Sequence, residues 1–188
     1  MHPIKISVIT SSMNRSSYLP RVWESLNTQT NSNFEWIIGN DGSQDNTNEI
    51  VEGFFQKSNF PITLISSSER IGKSMIDNHS ICSANGEYIL LCDSDDWLQK
   101  DAIDEMIKSV ENCPEKDHEN FLGVIGLCKD NLGKCSGVFP KQYDHTLELN
   151  DLFYVEKFQE DCAVLFKTRV LIENTFPEVD FYTPEGSI

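Results

Sequence analysis

A chain of 188 residues with 39% hydrophobic and 10% aromatic content has the material for one domain with a sizeable core, which argues against disorder as its main state. Its 15 Lys and Arg against 30 Asp and Glu leave a formal charge of −15, so it carries no basic footprint for nucleic acid, and a phosphate-bearing ligand would need a metal ion or backbone amides. No run reaches the roughly 20 apolar residues of a membrane span, the first residues lack a signal core, and six cysteines without a CxxC pair fit a reduced, cytoplasmic protein.

Ile4 to Thr10 is a β-branched run that predicts a first strand, and Leu19, Val22, Trp23 and Leu26 follow at helical spacing with Ser16 or Ser17 available as N-cap. Phe34 to Gly39 predicts a second strand, after which Asn40-Asp41-Gly42-Ser43 turns into a helix presenting Ile50, Val51, Phe54 and Phe55. Pro61 to Ile65 reads as a third strand, Lys73 to Ala84 as a third helix stopped by Gly86, and Tyr88 to Cys92 as a fourth strand. Asp101 is placed to cap a fourth helix whose Ala102, Ile103, Met106, Ile107 and Val110 face inward. This alternation predicts an α/β fold with a mainly parallel central sheet wrapped by helices. Beyond Cys113-Pro114 the rhythm changes: a polar stretch precedes the apolar run Phe121 to Leu127, and Asp161 to Lys167 is the next strand. With no repeat, low-complexity tract or linker, the second half is expected as a subdomain on the same sheet, and the ending at Ile188 looks unfinished.

The fourth predicted strand ends in Asp93-Ser94-Asp95-Asp96, three carboxylates in four residues. Carboxylates so close repel one another, and the cluster makes most sense around a divalent cation, the plainer alternative being a solvated helix-capping run. An EF-hand loop is excluded, because counting from Asp93 places Trp97 fifth, Leu98 sixth where Gly is needed, and Asp104 twelfth where Glu is needed. In open α/β sheets ligands sit at the carboxyl ends of strands, and Thr10, Asp41 and the acidic turn all fall just after predicted strands, on one rim. Asp41 by itself is ordinary turn chemistry. No Gly-x-Gly-x-x-Gly follows a strand, and Ile71-Gly72-Lys73-Ser74 has only the tail of a Walker loop, so Lys73 is either a surface lysine or a phosphate or base contact. His2, His79, His118 and His145 lack metal-ligand spacing, and the sequons at Asn14 and Asn78 read as chance matches.

Ser7-Val8-Ile9-Thr10, Leu26-Asn27-Thr28-Gln29-Thr30, the block from Phe34 to Asp45 and the block from Ala84 to Asp96 follow one another in an order and spacing that resembles the family 2 glycosyltransferases. The resemblance implies a GT-A fold, a three-layer α/β/α sandwich forming a single domain over 1–188, with a nucleotide-sugar half at 1–112 and an acceptor half at 113–188. It implies a nucleotide-diphosphate sugar donor, with uridine as the base, and inverting transfer to a saccharide or lipid-linked hydroxyl acceptor in polysaccharide or glycoconjugate synthesis. Such an acceptor would bring a cytoplasmic protein to the inner face of a membrane. By the same carry-over Thr10 and Asp41 contact the nucleobase, Asp93 the ribose side, and Asp95, beside Asp93, a Mn2+ or Mg2+ ion bridging the phosphates. Gln159-Glu160-Asp161, Phe176-Pro177-Glu178 and Pro184-Glu185 resemble one branch of the family, with Glu160 where Gly is usual and Asp180 where Glu is common. Glu185 then stands at the catalytic base, with Asp161 second. Two other classes compete. A sugar nucleotidyltransferase would want a Gly-rich basic loop after the first strand, where Ser11-Ser12-Met13-Asn14-Arg15 offers one cation and no glycine. A non-catalytic module would bind the donor and leave it intact.

Overall fold

The computed structural model describes residues 5–114, 121–130, 132–135 and 162–177. In chain order the elements are β1 (Ile6–Ser12), α1 (Leu19–Asn27), β2 (Phe34–Asp41), α2 (Thr47–Phe55), β3 (Ile62–Ser67), α3 (Lys73–Cys82), β4 (Tyr88–Leu91), α4 (Ala102–Glu111), β5 (Gly123–Leu127), β6 (Cys162–Lys167) and α5 (Thr168–Glu173). One six-stranded sheet runs in the order β3-β2-β1-β4-β6-β5. The pairs β1–β2, β1–β4 and β2–β3 are parallel, and β6 joins β4 antiparallel, with Leu90 opposite Leu165. The predicted mainly parallel α/β sheet is therefore present.

Strand ends differ from expectation in a way that matters for the site. β1 continues through Ser11 and Ser12, and β2 through Asn40 and Asp41, because their backbones stay in register with neighbours: Ser12 opposite Asn40, and Asp41 opposite Ser67. Ladder pairing overrides the polar composition that suggested earlier ends. At the start of α1, Ser16 gives its hydroxyl to Asn46 Oδ1 at 2.7 Å instead of capping, and the helix begins after Tyr18 with Pro20 in its first turn, where no amide partner is lost. Asp101 occupies the N-cap position of α4 but makes no side-chain cap bond.

Period-two alternation along the strands builds two apolar faces. On one, Trp36 of β2 meets Phe54 of α2, with ring centroids 5.7 Å apart, and Phe54 stacks on Trp23 of α1 at 5.2 Å. On the other, Ile9, Ile37 and Ile89 pack with Ile81 of α3 and Leu171 of α5. Each of these fully buried isoleucines contributes roughly 1.5–3 kcal/mol by area removed from water. Gly39 lets α3 lie close to β2: a Cβ there would sit 2.9 Å from Ser80 Oγ and 3.0 Å from Ile76 Cγ1. At the opposite end of the sheet from the acidic turn, the buried Glu35 carboxylate accepts the Ser7 hydroxyl at 2.6 Å and the Asn85 amide at 2.7 Å, tying β1, β2 and the loop before β4 together.

The packing separates two compact units, residues 1–124 with 165–188, and residues 125–164. In the second, Lys129 and Cys135 form an antiparallel bridge around a turn in which Asp130 accepts the amides of Leu132 and Lys134 at 2.9 and 3.0 Å. Among the described residues no helix is long and apolar enough to cross a membrane. Asn78, the sequon residue of α3, is buried, its side chain clasping both the carbonyl and the amide of Phe176 at 3.0 Å.

Candidate functional site

The four parallel strands bring their carboxyl ends to one edge, where β4 opens into Cys92-Asp93-Ser94-Asp95-Asp96. The Asp96 amide donates to the Asp93 carbonyl at 3.0 Å and closes the turn. Ser94 points inward, whereas the side chains of Asp93 and Asp95 are 60% and 50% exposed. The segment that follows is strapped along α1: Leu98 N–H donates to Ser25 Oγ at 3.2 Å, Gln29 Nε2 to the Gln99 carbonyl at 2.7 Å, and Thr30 N–H to the Lys100 carbonyl at 3.0 Å. Arg21 adds two contacts, its guanidinium lying 4.3 Å from the Trp97 ring centroid and donating to the Asp95 carbonyl. The acidic turn is thus held from α1, independently of any charge it binds.

Cations from two other segments meet these carboxylates. Arg15, in the loop after β1, places Nη1 3.0 Å from Asp95 Oδ2. Lys73, the first residue of α3, reaches Asp93 Oδ1 at 3.2 Å and Asp77 Oδ2 at 3.1 Å. The buried Asp77 also accepts the Ser11 hydroxyl from β1. Burial alone would push the Lys73 ammonium down, but the carboxylates of Asp77 and Asp93 outweigh it and hold its pKa above the usual lysine value. Surface pairs of this kind stabilise a fold by at most about 1 kcal/mol each, so their role here is charge balance. Among the described residues no three His, Cys, Asp or Glu side chains gather as a metal cage. Asp93 and Asp95 offer exposed, oxygen-only donors, which suits a hard cation that takes its remaining ligands from phosphate and water.

The remaining rim residues divide between the site and its supports. Asp41 is the last residue of β2 and is buried. Its Oδ1 accepts the amides of Ile71 and Gly72 at 2.6 and 3.1 Å, and its Oδ2 accepts Gly72 again at 3.1 Å. That carboxylate therefore fixes the start of α3, and through it Lys73. Gly42 has φ +65°, and a Cβ there would lie 2.3 Å from the Glu69 carbonyl carbon, so the turn after β2 presses directly on the same loop. Thr10 corrects the sequence expectation: it lies inside β1 and not after it, is fully buried, and its hydroxyl accepts the Trp36 indole N–H at 3.0 Å. The extension of β1 moves the rim to Ser12, whose buried hydroxyl has no hydrogen-bond partner among the described residues. Sequence reasoning missed Ser12, Asp77 and Arg15. Asp77 follows Lys73 by four residues on one helix face, a signal that was present, whereas nothing local marks the pairing of Arg15 with Asp95. Asp161 and Glu185 lie outside the described residues.

A mostly parallel α/β sheet with an acidic turn at its switch in strand order, flanked by a lysine and an arginine, has the fold of the GT-A glycosyltransferases. The chain belongs to glycosyl transferase family 2, which residues 7–174 match. Glycosyltransferase GlyG of Streptococcus pneumoniae is 33% identical over 118 residues, covering 63% of this chain and 38% of that protein. The GalNAc(5)-diNAcBac-PP-undecaprenol beta-1,3-glucosyltransferase of Campylobacter jejuni is 25% identical over 188 residues, covering 98% of this chain and 58% of that protein. The chain thus spans less than two thirds of either relative's length. In fold it resembles S. aureus TarS 1-349 in complex with UDP, with a TM-score of 0.69 and 24% identity over 93% of this chain and 50% of that one.

Proposed function

We propose that this chain carries the donor site of an inverting glycosyltransferase, one that takes a sugar from a nucleotide-diphosphate sugar, with UDP as carrier, and passes it to a hydroxyl acceptor in polysaccharide or glycoconjugate synthesis. The observation that carries this is the juxtaposition of Asp93 and Asp95 with Lys73 at the carboxyl edge of the sheet, in a member of family 2. TarS crystals with UDP and with UDP-GlcNAc, and the Pyrobaculum calidifontis mannosyltransferase PcManGT with GDP-Man and Mn2+, share the fold, the last with a TM-score of 0.63 and 19% identity over 95% of this chain and 48% of that one. The undecaprenol-linked name of the Campylobacter relative favours a lipid-linked acceptor, which would draw the protein to a membrane surface.

Asp95 with Asp93 would hold Mn2+ or Mg2+, and the fit rests on two exposed carboxylates already balanced by cations. The bound ion would neutralise charge on the departing diphosphate. Lys73, aimed by the Asp41 clamp at the start of α3, offers its ammonium to the same phosphates. Glu185 is proposed as the base that accepts the acceptor hydroxyl's proton, with Asp161 second. The nucleotidyltransferase alternative gains nothing from the loop after β1, whose Arg15 is tied to Asp95.

A thermal-shift series with UDP, UDP-sugars and GDP-mannose, each with and without Mn2+, tests the reading. Uridine nucleotides should raise Tm only when Mn2+ is present. Absence of a shift with every nucleotide would refute it.

A further inference from the structure

Among the described residues two cations pair with carboxylates of the acidic turn, Lys73 with Asp93 and Arg15 with Asp95, and they are not equivalent. Lys73 is anchored twice, since Asp77 holds its ammonium at 3.1 Å whatever becomes of Asp93. Among the described residues Arg15 has a single carboxylate, Asp95 at 3.0 Å, and its guanidinium also lies 5.9 Å from the centroid of the Tyr18 ring. An ion that takes Asp95 must therefore displace Arg15 and need not displace Lys73.

Once displaced, the guanidinium cannot travel far. On one side Asn14 is pinned to the loop after β2, its amide donating to Ser43 Oγ at 3.0 Å and its Oδ1 accepting the Gln44 amide at 2.8 Å. On the other, the Ser16 amide donates to Asp45 Oδ2 at 2.9 Å and its hydroxyl to Asn46 Oδ1 at 2.7 Å. With the backbone fixed on both flanks, only the side chain can swing, and it stays beside the turn. A planar guanidinium needs an anion there, and a diphosphate oxygen pair matches its fork of donors.

We propose that Arg15 couples the two ligands of this site: it occupies Asp95 against a divalent ion until a nucleoside diphosphate arrives to take the guanidinium, so that ion and nucleotide bind in concert. This rests on the assignment of Asp95 as metal ligand made above. Linkage makes the consequence reciprocal. Arg15 lowers affinity for the ion alone and enlarges the factor by which ion and nucleotide strengthen each other's binding.

The test is Mn2+ binding followed by the electron paramagnetic resonance signal of the free ion, with and without UDP, on the unmodified protein, Arg15→Gln and Arg15→Lys. Both Arg15 and Asp95 are about half exposed, so Arg15→Gln should bind Mn2+ alone about two- to fivefold more tightly, the range open to an exposed ion pair. The enhancement by UDP should shrink by at least the same factor, with Arg15→Lys between the two. Unchanged or weaker Mn2+ binding in Arg15→Gln, with the UDP enhancement intact, would overturn the proposal while leaving the donor site standing. If the unmodified protein fails to bind Mn2+ even with UDP, the donor-site assignment itself falls. Thermal unfolding of each variant separates loss of fold from loss of coupling, since a merely structural Arg15 would move Tm and leave the enhancement alone.

Discussion

Replacing Asp41 by Ala removes the acceptor for two backbone amides, Ile71 and Gly72, at a position only 4% exposed. Hydrogen bonds to a charged acceptor contribute about 1.5–3 kcal/mol, and a buried amide left without a partner costs about 1–3 kcal/mol. Counting each amide once, since the two Gly72 contacts share one N–H, the loss is about 3 kcal/mol at its lower end. In a domain of this size that corresponds to a fall in Tm of roughly 6–12 °C. Asp41→Asn keeps one acceptor oxygen but turns a donor toward an amide, so it should fall between Ala and the unmodified protein. The assay is thermal unfolding by circular dichroism, paired with hydrogen exchange at the 71 and 72 amides, which should lose protection first. If Asp41→Ala melts within about 2 °C of the unmodified protein and those amides remain protected, the clamp is not what holds the start of α3. Asp41 would then act only on ligand.

Gly42→Ala should be more destabilising than an ordinary surface change, by about 2 kcal/mol or more, because its φ of +65° is combined with backbone 2.3–2.7 Å from the new Cβ; denaturant unfolding reads this directly. Asp95→Asn is expected to abolish the metal-dependent binding of UDP, and unchanged calorimetric affinity would count against its role. Glu185→Gln should retain donor binding and lose turnover, so a normal transfer rate would remove it as base. Asp45 gives a pH prediction: burial pushes its carboxyl up, but hydrogen bonds from Thr47 and Ser16 outweigh that and hold its pKa below the ordinary 3.8. Its stabilisation is therefore complete above that value and lost as pH falls through the lower folded pKa. Asp45→Asn should flatten the acid limb of Tm against pH, and an unaltered limb would remove Asp45 from the account.

Local pattern carried much of this fold, and the reason is that strand and helix periodicity is written over a few neighbouring residues. Ile6, Val8 and Ile9, the Leu19–Val22–Leu26 stripe and the Tyr88–Leu91 run specify their elements without outside help, and their alternation dictates a parallel sheet. The acidic turn was legible for the same reason, since its carboxylates are adjacent in the chain. The strand ends were not. Ser11, Ser12, Asn40 and Asp41 are polar residues that remain in strands because partners elsewhere complete their ladders, and that carried Thr10 from the rim into the core beneath Trp36. The counter-charges were equally hidden, because Arg15 and Lys73 reach the turn only after three separate crossovers bring the carboxyl ends of β1, β3 and β4 to one edge. Which groups stand near a carboxylate is a property of packing between distant segments, and no window of neighbouring residues contains it.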